Sequence, residues 1–568
     1  CARRLVAAPS MNMTPQELLQ SGQDALNRGD FDKAVADFTQ LTRIAPQAAT
    51  AWLGRSAAYY GAGDYPRSLA AAKRGRELAP QDHRALLVLG PAAFVNADAQ
   101  TIDDCRGALS GLPRETALSI AQFWVKRLTE KDYFNEAALG FEAFAHHYLD
   151  DVVVALDLAH CYLNAFRIDE AVAVLDGLVA GGVADARIDA LYARVFVTKG
   201  EIAKAKAAAL RAVALDESCI AGYVMLGEIA PEEISADADA RISALIENGR
   251  FSSENMVVGL IALGRARESR KDFAGAFAAF EKANAEASAS LAQSGLVYDR
   301  RAREAEIRRT IALYPSPFAP PSGSPKPPAK VFIIGMPRSG STLIDQALSR
   351  HSAIASVGES RIIPSIAMSI AGVVQADRRS PREAARDFRD GYAKAYRDAA
   401  GGARVVVDKN LFNFEHCGLI ADLDPDARFI VAMRDPGDIA LSIFKIKFLA
   451  AMPWSNDLRD IAHMQASFET LIEHWRRIIG DRMLIVSHEE LISGFEPGIR
   501  KMLEFCGLDF EPRCLSFHED DRSVFTTSAA QVRRPVNTDG VERWRRYKKQ
   551  LTPYFESLAA FRGEFALK

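Results

Sequence analysis

Val331–Thr342, VFIIGMPRSGST, decides how the second half of this 568-residue chain folds. Val331–Ile334 reads as a buried strand, Gly335 and Gly340 bound a tight loop, and Ser341 and Thr342 open a helix that runs on through Leu343–Ser349. That order aims successive backbone N–H groups and a helix N-terminus at one point, which makes a cradle for an anion. The glycine spacing is that of a phosphate-binding P-loop, yet Ser341 stands where a Walker loop carries its lysine. Arg338 is the only cation in the loop, and a guanidinium can fork onto phosphate or sulfonate oxygens. The substitution points away from ATP chemistry and towards another phosphate-bearing cofactor. The bland alternative is an ordinary glycine turn between a strand and a helix.

Downstream, apolar runs alternate with amphipathic helices, which predicts a parallel α/β sheet with ligands at the carboxyl ends of its strands. Ile354–Val357 is followed by Gly358-Glu359-Ser360-Arg361, where Glu359 is either a general base or a surface acid near a helix start. Arg404–Val407 is followed by Asp408-Lys409-Asn410, where Lys409 either neutralises a leaving group or is simply solvated. Arg428–Met433 is followed by Arg434, and Ser442 lies about two turns along the next helix. Those two either grip a second phosphate, or Arg434 pairs with Asp435 or Asp438 as a structural salt bridge. Two anion grips on one sheet imply a cofactor with phosphates at both ends.

These motifs resemble those of sulfotransferases that use 3′-phosphoadenosine-5′-phosphosulfate (PAPS), over roughly residues 328–550. Pro337-Arg338-Ser339-Gly340-Ser341-Thr342 looks like the family's 5′-phosphosulfate loop, and Arg434 with Ser442 looks like its 3′-phosphate motif. The similarity leans to the branch of tyrosylprotein sulfotransferases and of bacterial proteins that fuse a tetratricopeptide array to such a domain. By that resemblance, Glu359 would be the catalytic base and Lys409 would stabilise the leaving phosphate. In Thr526–Asn537, Ser528 would touch the phosphosulfate and Arg533 would close over the 3′-phosphate. The resemblance implies PAPS as donor, 3′-phosphoadenosine-5′-phosphate (PAP) as product, and no metal. The histidine base and loop lysine of the small-molecule sulfotransferases are absent here, so the acceptor does not carry over. A peptide or protein tyrosine, a carbohydrate hydroxyl and a small metabolite all remain open. From other classes, a P-loop ATP-dependent kinase or ATPase and a non-catalytic repeat scaffold compete.

The first half repeats. Gly29-Asp30-Phe31 recurs as Gly63-Asp64-Tyr65 and Pro46 as Pro80, both at an offset of 34 residues, the period of the tetratricopeptide helix pair. Gly22, Ala25, Ala34 and Phe38 match Ser56, Tyr59, Ser68 and Ala72. Weaker copies follow at Lys131–Tyr133, Arg167–Asp169, Lys199–Glu201 and Lys271–Phe273, and the copy around 82–115 is degenerate. The expectation is an all-α solenoid of about seven to eight repeats that binds a protein partner or peptide, or mediates a homodimer. The expected division is a tail at 1–13, the array at 14–313, a proline-rich extended linker at 314–330 and the sulfotransferase domain at 331–568.

The formal net charge of −3 gives no pull towards nucleic acid or anionic membranes. No run reaches the roughly 18 apolar residues of a membrane span. Seven scattered cysteines show no CxxC pair, which fits a reducing, cytoplasmic setting. The opening Cys1-Ala-Arg-Arg has no lipobox, and Met11 or Met13 reads as the natural start. None of the ten histidines makes a metal site; Ser487-His488-Glu489-Glu490-Leu491 lacks the second histidine of HExxH and reads as a strand end with a helix cap. The basic run Arg543–Lys549 reads as a solvated helix with Trp544 and Tyr547 packed one turn apart, not as a nucleic-acid patch. Met452-Pro453-Trp454 and Phe517–Asp520 either line the acceptor side or pack.

Overall fold

A computed structural model describes residues 13–131, 133–293, 295–319, 328–377, 379–448, 452–517, 536–538 and 540–566. Residues 15–293 carry sixteen α-helices, most of them packed in pairs such as Pro15–Asn27 with Phe31–Ile44 and Ser253–Ser269 with Phe273–Gln293; Ile220–Ile229 packs on Ser253–Ser269 and not on the intervening Ala236–Glu247, and a further helix, Arg300–Leu313, ends the array. The recurring Gly-Asp turn has a local cause. Gly29 and Gly63 take φ of 70° and 83°, a conformation glycine adopts without a Cβ penalty. Asp30 and Asp64 then cap the next helix by accepting from the Lys33 and Arg67 amides, both at 3.2 Å.

The small residues of the repeat make room for aromatic ones. A Cβ on Gly54 would come within 2.3 Å of the Phe38 ring, and one on Gly22 within 2.8 Å. The degenerate copy still folds as a pair, Ala85–Val95 and Ala99–Ser110, with Pro91 inside its first helix.

The second half is a five-stranded parallel sheet. Its strands are β1 (Ala329–Gly335), β2 (Ile354–Ser356), β3 (Val405–Asp408), β4 (Arg428–Met433) and β5 (Met483–Ser487), in the order β2-β3-β1-β4-β5. Register pairs Phe332 with Asp408 and Gly335 with Ala432, while Met433 faces Ser487, so the carboxyl ends lie along one edge. Both faces are covered. Val331 and Ile333 pack with Ile344, Leu348, Ile499 and Leu503, whereas Phe332 and Ile334 pack with Phe429, Tyr396 and Trp475 on the other side.

That second core includes Phe277, Phe280 and Ile307 of the array, so the last array helices and the sheet bury one continuous apolar interior. Asn284 Nδ2 donates to Phe444 O at 2.8 Å and Arg303 pairs with Glu415 at 2.8 Å across the same seam. The start of the proline-rich stretch is part of this packing: Tyr314 is buried, and the Phe318 amide donates to Ile478 O at 2.8 Å. At the other end of the solenoid the hairpin turn at Gly29 meets Gly295.

One expectation changes. Arg543–Tyr547 is a helix, of the 3₁₀ kind, but Trp544 and Tyr547 pack on other rings instead of on each other. Trp544 lies 4.7 Å from Phe555, while Tyr547 is buried against Phe273 and Phe277. The Glu542 and Trp544 amides are drawn down to the Asp438 carboxylate at 2.7 and 3.1 Å, which tightens the chain there. Among the described residues no helix is long and apolar enough to cross a membrane, and no group of acidic, histidine and cysteine side chains is placed to hold a metal.

Candidate active site

The predicted strand-end residues meet in one cavity of about 3310 Å³ between the sheet edge and the array. Arg338, Glu359, Lys409, Arg434 and Ser442 line one side, and Asp157, His160, Arg194, Glu228 and Arg265 line the other.

The loop after β1 bends through two left-handed residues. Gly340 sits at φ 93° and caps Ser341–Leu348 with no side-chain hydrogen bond, so the first helical amides face the cavity. Arg338 is also left-handed at φ 70°, a costly conformation away from glycine that is typical of functional loops. Its Nε donates to Ser442 Oγ at 2.9 Å. Burial pushes the Arg338 guanidinium down to about 10, and the neighbouring Arg434 pushes the same way.

Arg434 extends along the loop, donating to Arg338 O at 2.9 Å and to Gly540 O at 2.6 Å. A Cβ on Gly540 would lie 3.0 Å from its Nη2, so this approach needs the glycine. Among the described residues no carboxylate pairs with Arg434. Asp435 caps its helix through the Gly437 and Asp438 amides, and Asp438 holds the Glu542 and Trp544 amides. The structural salt-bridge alternative is therefore not what is seen. Burial lowers the Arg434 guanidinium as well, and its Nε is buried without a partner.

Ser339 Oγ is likewise buried and unpartnered. Two partly desolvated guanidiniums, an orphan hydroxyl and a helix N-terminus without a side-chain cap form a set that a phosphate-bearing ligand would satisfy. Pro337, Ser341 and Thr342 complete the loop wall.

On the other flank, Lys409 Nζ pairs with Glu359. Lys409 is buried while the Glu359 side chain is 58% exposed, so the carboxylate reaches back from the cavity to an inner lysine. Asp408 beside it turns into the core, accepting from Tyr396 Oη at 2.6 Å and from the Asn410 amide at 3.0 Å. Burial raises its carboxyl to about 6. Ser528 and Arg533 lie outside the described residues, as do His518–Asp520. Met452 and Phe517 line the cavity, whereas Trp454 is buried.

The sequence reading missed three contributors. His488 follows β5 and packs on the loop, where a Cβ on Gly340 would approach its Nδ1 to 2.4 Å; burial pushes the imidazole down to about 4. The signal was available, because β5 is a fifth strand end on the same edge. Ser487 does cap the next helix, accepting from the Glu490 amide at 3.3 Å as expected. Lys445, paired with Glu268, and Arg543 from the basic run also face the cavity.

Residues 328–512 match the sulfotransferase family, and residues 19–83 match the tetratricopeptide repeat. The chain carries a sulfotransferase-family domain behind tetratricopeptide-like helices. An uncharacterized protein of Aquifex aeolicus (strain VF5) is 30% identical over 380 residues, which cover 64% of this chain and 49% of that protein. Protein-tyrosine sulfotransferase 2 of Gallus gallus is 26% identical over 236 residues, 38% of this chain and 62% of its own length. The chain thus spans about half to three-fifths of these relatives. The sulfotransferase domain of the Synechococcus PCC 7002 olefin synthase is 19% identical, with 42% of this chain and 98% of that one covered and a TM-score of 0.31. Within this sulfotransferase domain the matched span takes in Arg338, Glu359, Lys409, Arg434 and Ser442.

Proposed function

We propose that the protein transfers a sulfuryl group from PAPS to an acceptor hydroxyl, and that the acceptor is a tyrosine of a peptide or protein. The paired anion grips carry the donor. The loop amides, Arg338, Ser339, Ser341 and Thr342 would hold the 5′ end, while Arg434 and Ser442 would hold the 3′-phosphate. When bound, PAPS supplies an activated sulfuryl group whose S–O bond to the 5′-phosphate breaks as a bond to the acceptor oxygen forms.

The side chains divide that work. Glu359 takes the acceptor hydroxyl's proton. Lys409, released from Glu359 as that carboxyl is protonated, neutralises the charge left on the 5′-phosphate oxygen. Arg338 keeps the phosphate oxygens in line. No metal enters these steps.

The choice of acceptor rests on the cavity. At about 3310 Å³ it is well above the roughly 300–1,000 Å³ of a small-molecule pocket, and the array forms one wall. Both features favour a polypeptide over a metabolite, with a carbohydrate hydroxyl as the alternative. The buried thiols Cys105, Cys161, Cys219, Cys417, Cys506 and Cys514 are free, which supports a cytoplasmic setting. A kinase reading is disfavoured, because Ser341 stands where a Walker loop carries its lysine and Asp408 is committed to Tyr396 and Asn410.

Thermal unfolding with PAP, or with ATP and magnesium, tests the donor in wild type and Arg434→Ala. A rise in Tm with PAP that the substitution removes supports the assignment. A rise with ATP and magnesium alone overturns it. Label transfer from radiolabelled PAPS to a Glu–Tyr copolymer or to an oligosaccharide mixture then separates the acceptors.

A further inference from the structure

Three of the contacts that hold the loop carrying Glu359 come from its two neighbours in the fold. The Lys409 amide donates to Gly358 O at 2.8 Å, and Asn410 Nδ2 donates to Ser360 O at 2.8 Å. Both come from the chain just after β3. The third comes from the array: Arg361 Nη1 donates to Lys131 O at 2.7 Å, and the guanidinium lies over the Tyr133 ring, 4.5 Å from its centroid. These partners sit at the turn between Arg114–Thr129 and Phe134–Ala145.

Tyr133 is itself held from behind. Its ring meets Tyr65 edge-on at 5.8 Å, and Tyr65 meets Tyr60 at 5.3 Å. Tyr60 Oη donates to Arg127 O at 3.2 Å, which ties the stack back to the helix before Tyr133. A run of rings through the second and fourth helix pairs therefore ends on the residue two places beyond Glu359.

We infer that Tyr133 is a positioning residue for sulfuryl transfer. Through Arg361 it fixes the Gly358–Arg361 loop so that Glu359 faces the acceptor, and the repeat array thereby becomes a working part of the active site. This rests on the reading of Glu359 as the base. Gly358 sits at φ 61° and the Glu359 side chain is mostly exposed, so the loop's own residues offer little to aim the carboxylate. Without the array's anchor, the loop keeps its contacts at Ser360 but loses the tie that holds Arg361 to the turn at Lys131 and Tyr133. A misplacement of about 1 Å in a catalytic group costs on the order of 100-fold in rate.

The test compares wild type, Tyr133→Phe, Tyr133→Ala, Arg361→Lys, Glu359→Gln and the Tyr133→Ala/Glu359→Gln pair in the full chain. Two readouts are hydrogen exchange in residues 357–361 and turnover of radiolabelled PAPS with the Glu–Tyr copolymer. Tyr133→Phe keeps the ring under Arg361 but removes the hydroxyl that meets Tyr65 and Arg361, and should fall between wild type and Tyr133→Ala. Tyr133→Ala should speed loop exchange and lower kcat by about 10-fold or more, leaving KM for PAPS within about two-fold. In the Glu359→Gln background it should cost nothing further, because both changes act through one group. Arg361→Lys keeps the charge, removes the flat fork, and covers the case in which Tyr133→Ala fails to fold.

Unchanged exchange and kcat in Tyr133→Ala and Arg361→Lys, with Glu359→Gln inactive, would overturn the inference and spare the base. An active Glu359→Gln would instead remove the base, and this inference with it.

Discussion

Arg338 and Ser442, 104 residues apart in the chain, are joined by a single hydrogen bond of 2.9 Å from Nε to Oγ. One belongs to the loop after β1 and the other to the helix after β4, so the bond ties the two anion grips together before any ligand arrives. Grips already linked lose less freedom when a ligand with two phosphate ends bridges them.

Ser442→Ala should therefore weaken PAP by about 1 kcal/mol, close to a five-fold loss, as expected for one hydrogen bond. Arg338→Lys should cost more, because a point charge replaces a fork. The double variant should lose less than the sum, since each change breaks the same contact. Calorimetric titration with PAP reads all three, and strict additivity would mean that the two grips act independently.

Glu359 and Lys409 should separate by acceptor. Glu359→Gln should lower kcat by about 100- to 10,000-fold. Lys409→Met should lower kcat by about 100- to 1,000-fold, since it removes charge stabilisation and not the base. A more acidic phenol acceptor should restore part of the turnover in Glu359→Gln and little in Lys409→Met, because such a hydroxyl needs less help from a base. PAP affinity should stay near wild type in Glu359→Gln. A Glu359→Gln variant that gains nothing from the acidic acceptor would assign the base elsewhere.

The site was legible where local spacing carries the chemistry. Val331–Thr342 announces a strand, a bend and a helix in twelve consecutive residues, and the strand-end rule then picked out Glu359, Lys409 and Arg434. The helix pairs were equally readable, because Gly29-Asp30 and Gly63-Asp64 are turn chemistry repeated at a fixed period. The contacts between distant segments were not. Lys445 meets Glu268 across 177 residues and Arg361 meets Lys131 across 230, and no periodicity encodes such a meeting. Nor does composition reveal that Phe277 and Phe280 share a core with Phe332, since any amphipathic array helix carries a similar face. That the Arg543–Tyr547 helix is 3₁₀ was not legible either, because its start answers to the Asp438 carboxylate, more than 100 residues upstream.

The Lys445–Glu268 pair locks the array to the helix that carries Ser442. Both side chains are nearly buried, at 13% and 10% exposure, and burial presses the Lys445 ammonium down to about 8. Glu268→Ala leaves a buried, uncompensated charge and should destabilise the protein by about 3–5 kcal/mol. Adding Lys445→Met removes that charge, fills the space beside Phe280 and Tyr547, and should restore most of the loss. Chemical denaturation measures both. A double variant no more stable than Glu268→Ala would show that the pair supplies net attraction and not merely mutual compensation.

Acid should loosen the same seam through His463. The imidazole is fully buried on the helix Leu458–Ile479, with Tyr298 Oη 2.8 Å from Nδ1 and Glu304 3.7 Å from Nε2, both reached from the end of the array. Phe561 and Phe565 close over the ring. Burial is the main cause that pushes it down to about 4, with Glu304 pulling the other way and Arg300 and Arg303 adding repulsion. The unfolded imidazole titrates near 6.5, so between about pH 6.5 and 4 the unfolded chain binds the extra proton. Stability must therefore fall as pH drops through that window and be fully present above it. His463 contributes on the order of 2 kcal/mol to the loss, a discount on the roughly 1.4 kcal/mol per pKa unit because opening of the seam admits water. His463→Gln cannot take up the proton and should flatten the slope of unfolding free energy between pH 6.5 and 4, at some cost in stability at neutral pH. An unchanged slope would place the acid-sensitive group elsewhere, and the His488→Asn slope would then show whether the imidazole packed on Gly340 carries it.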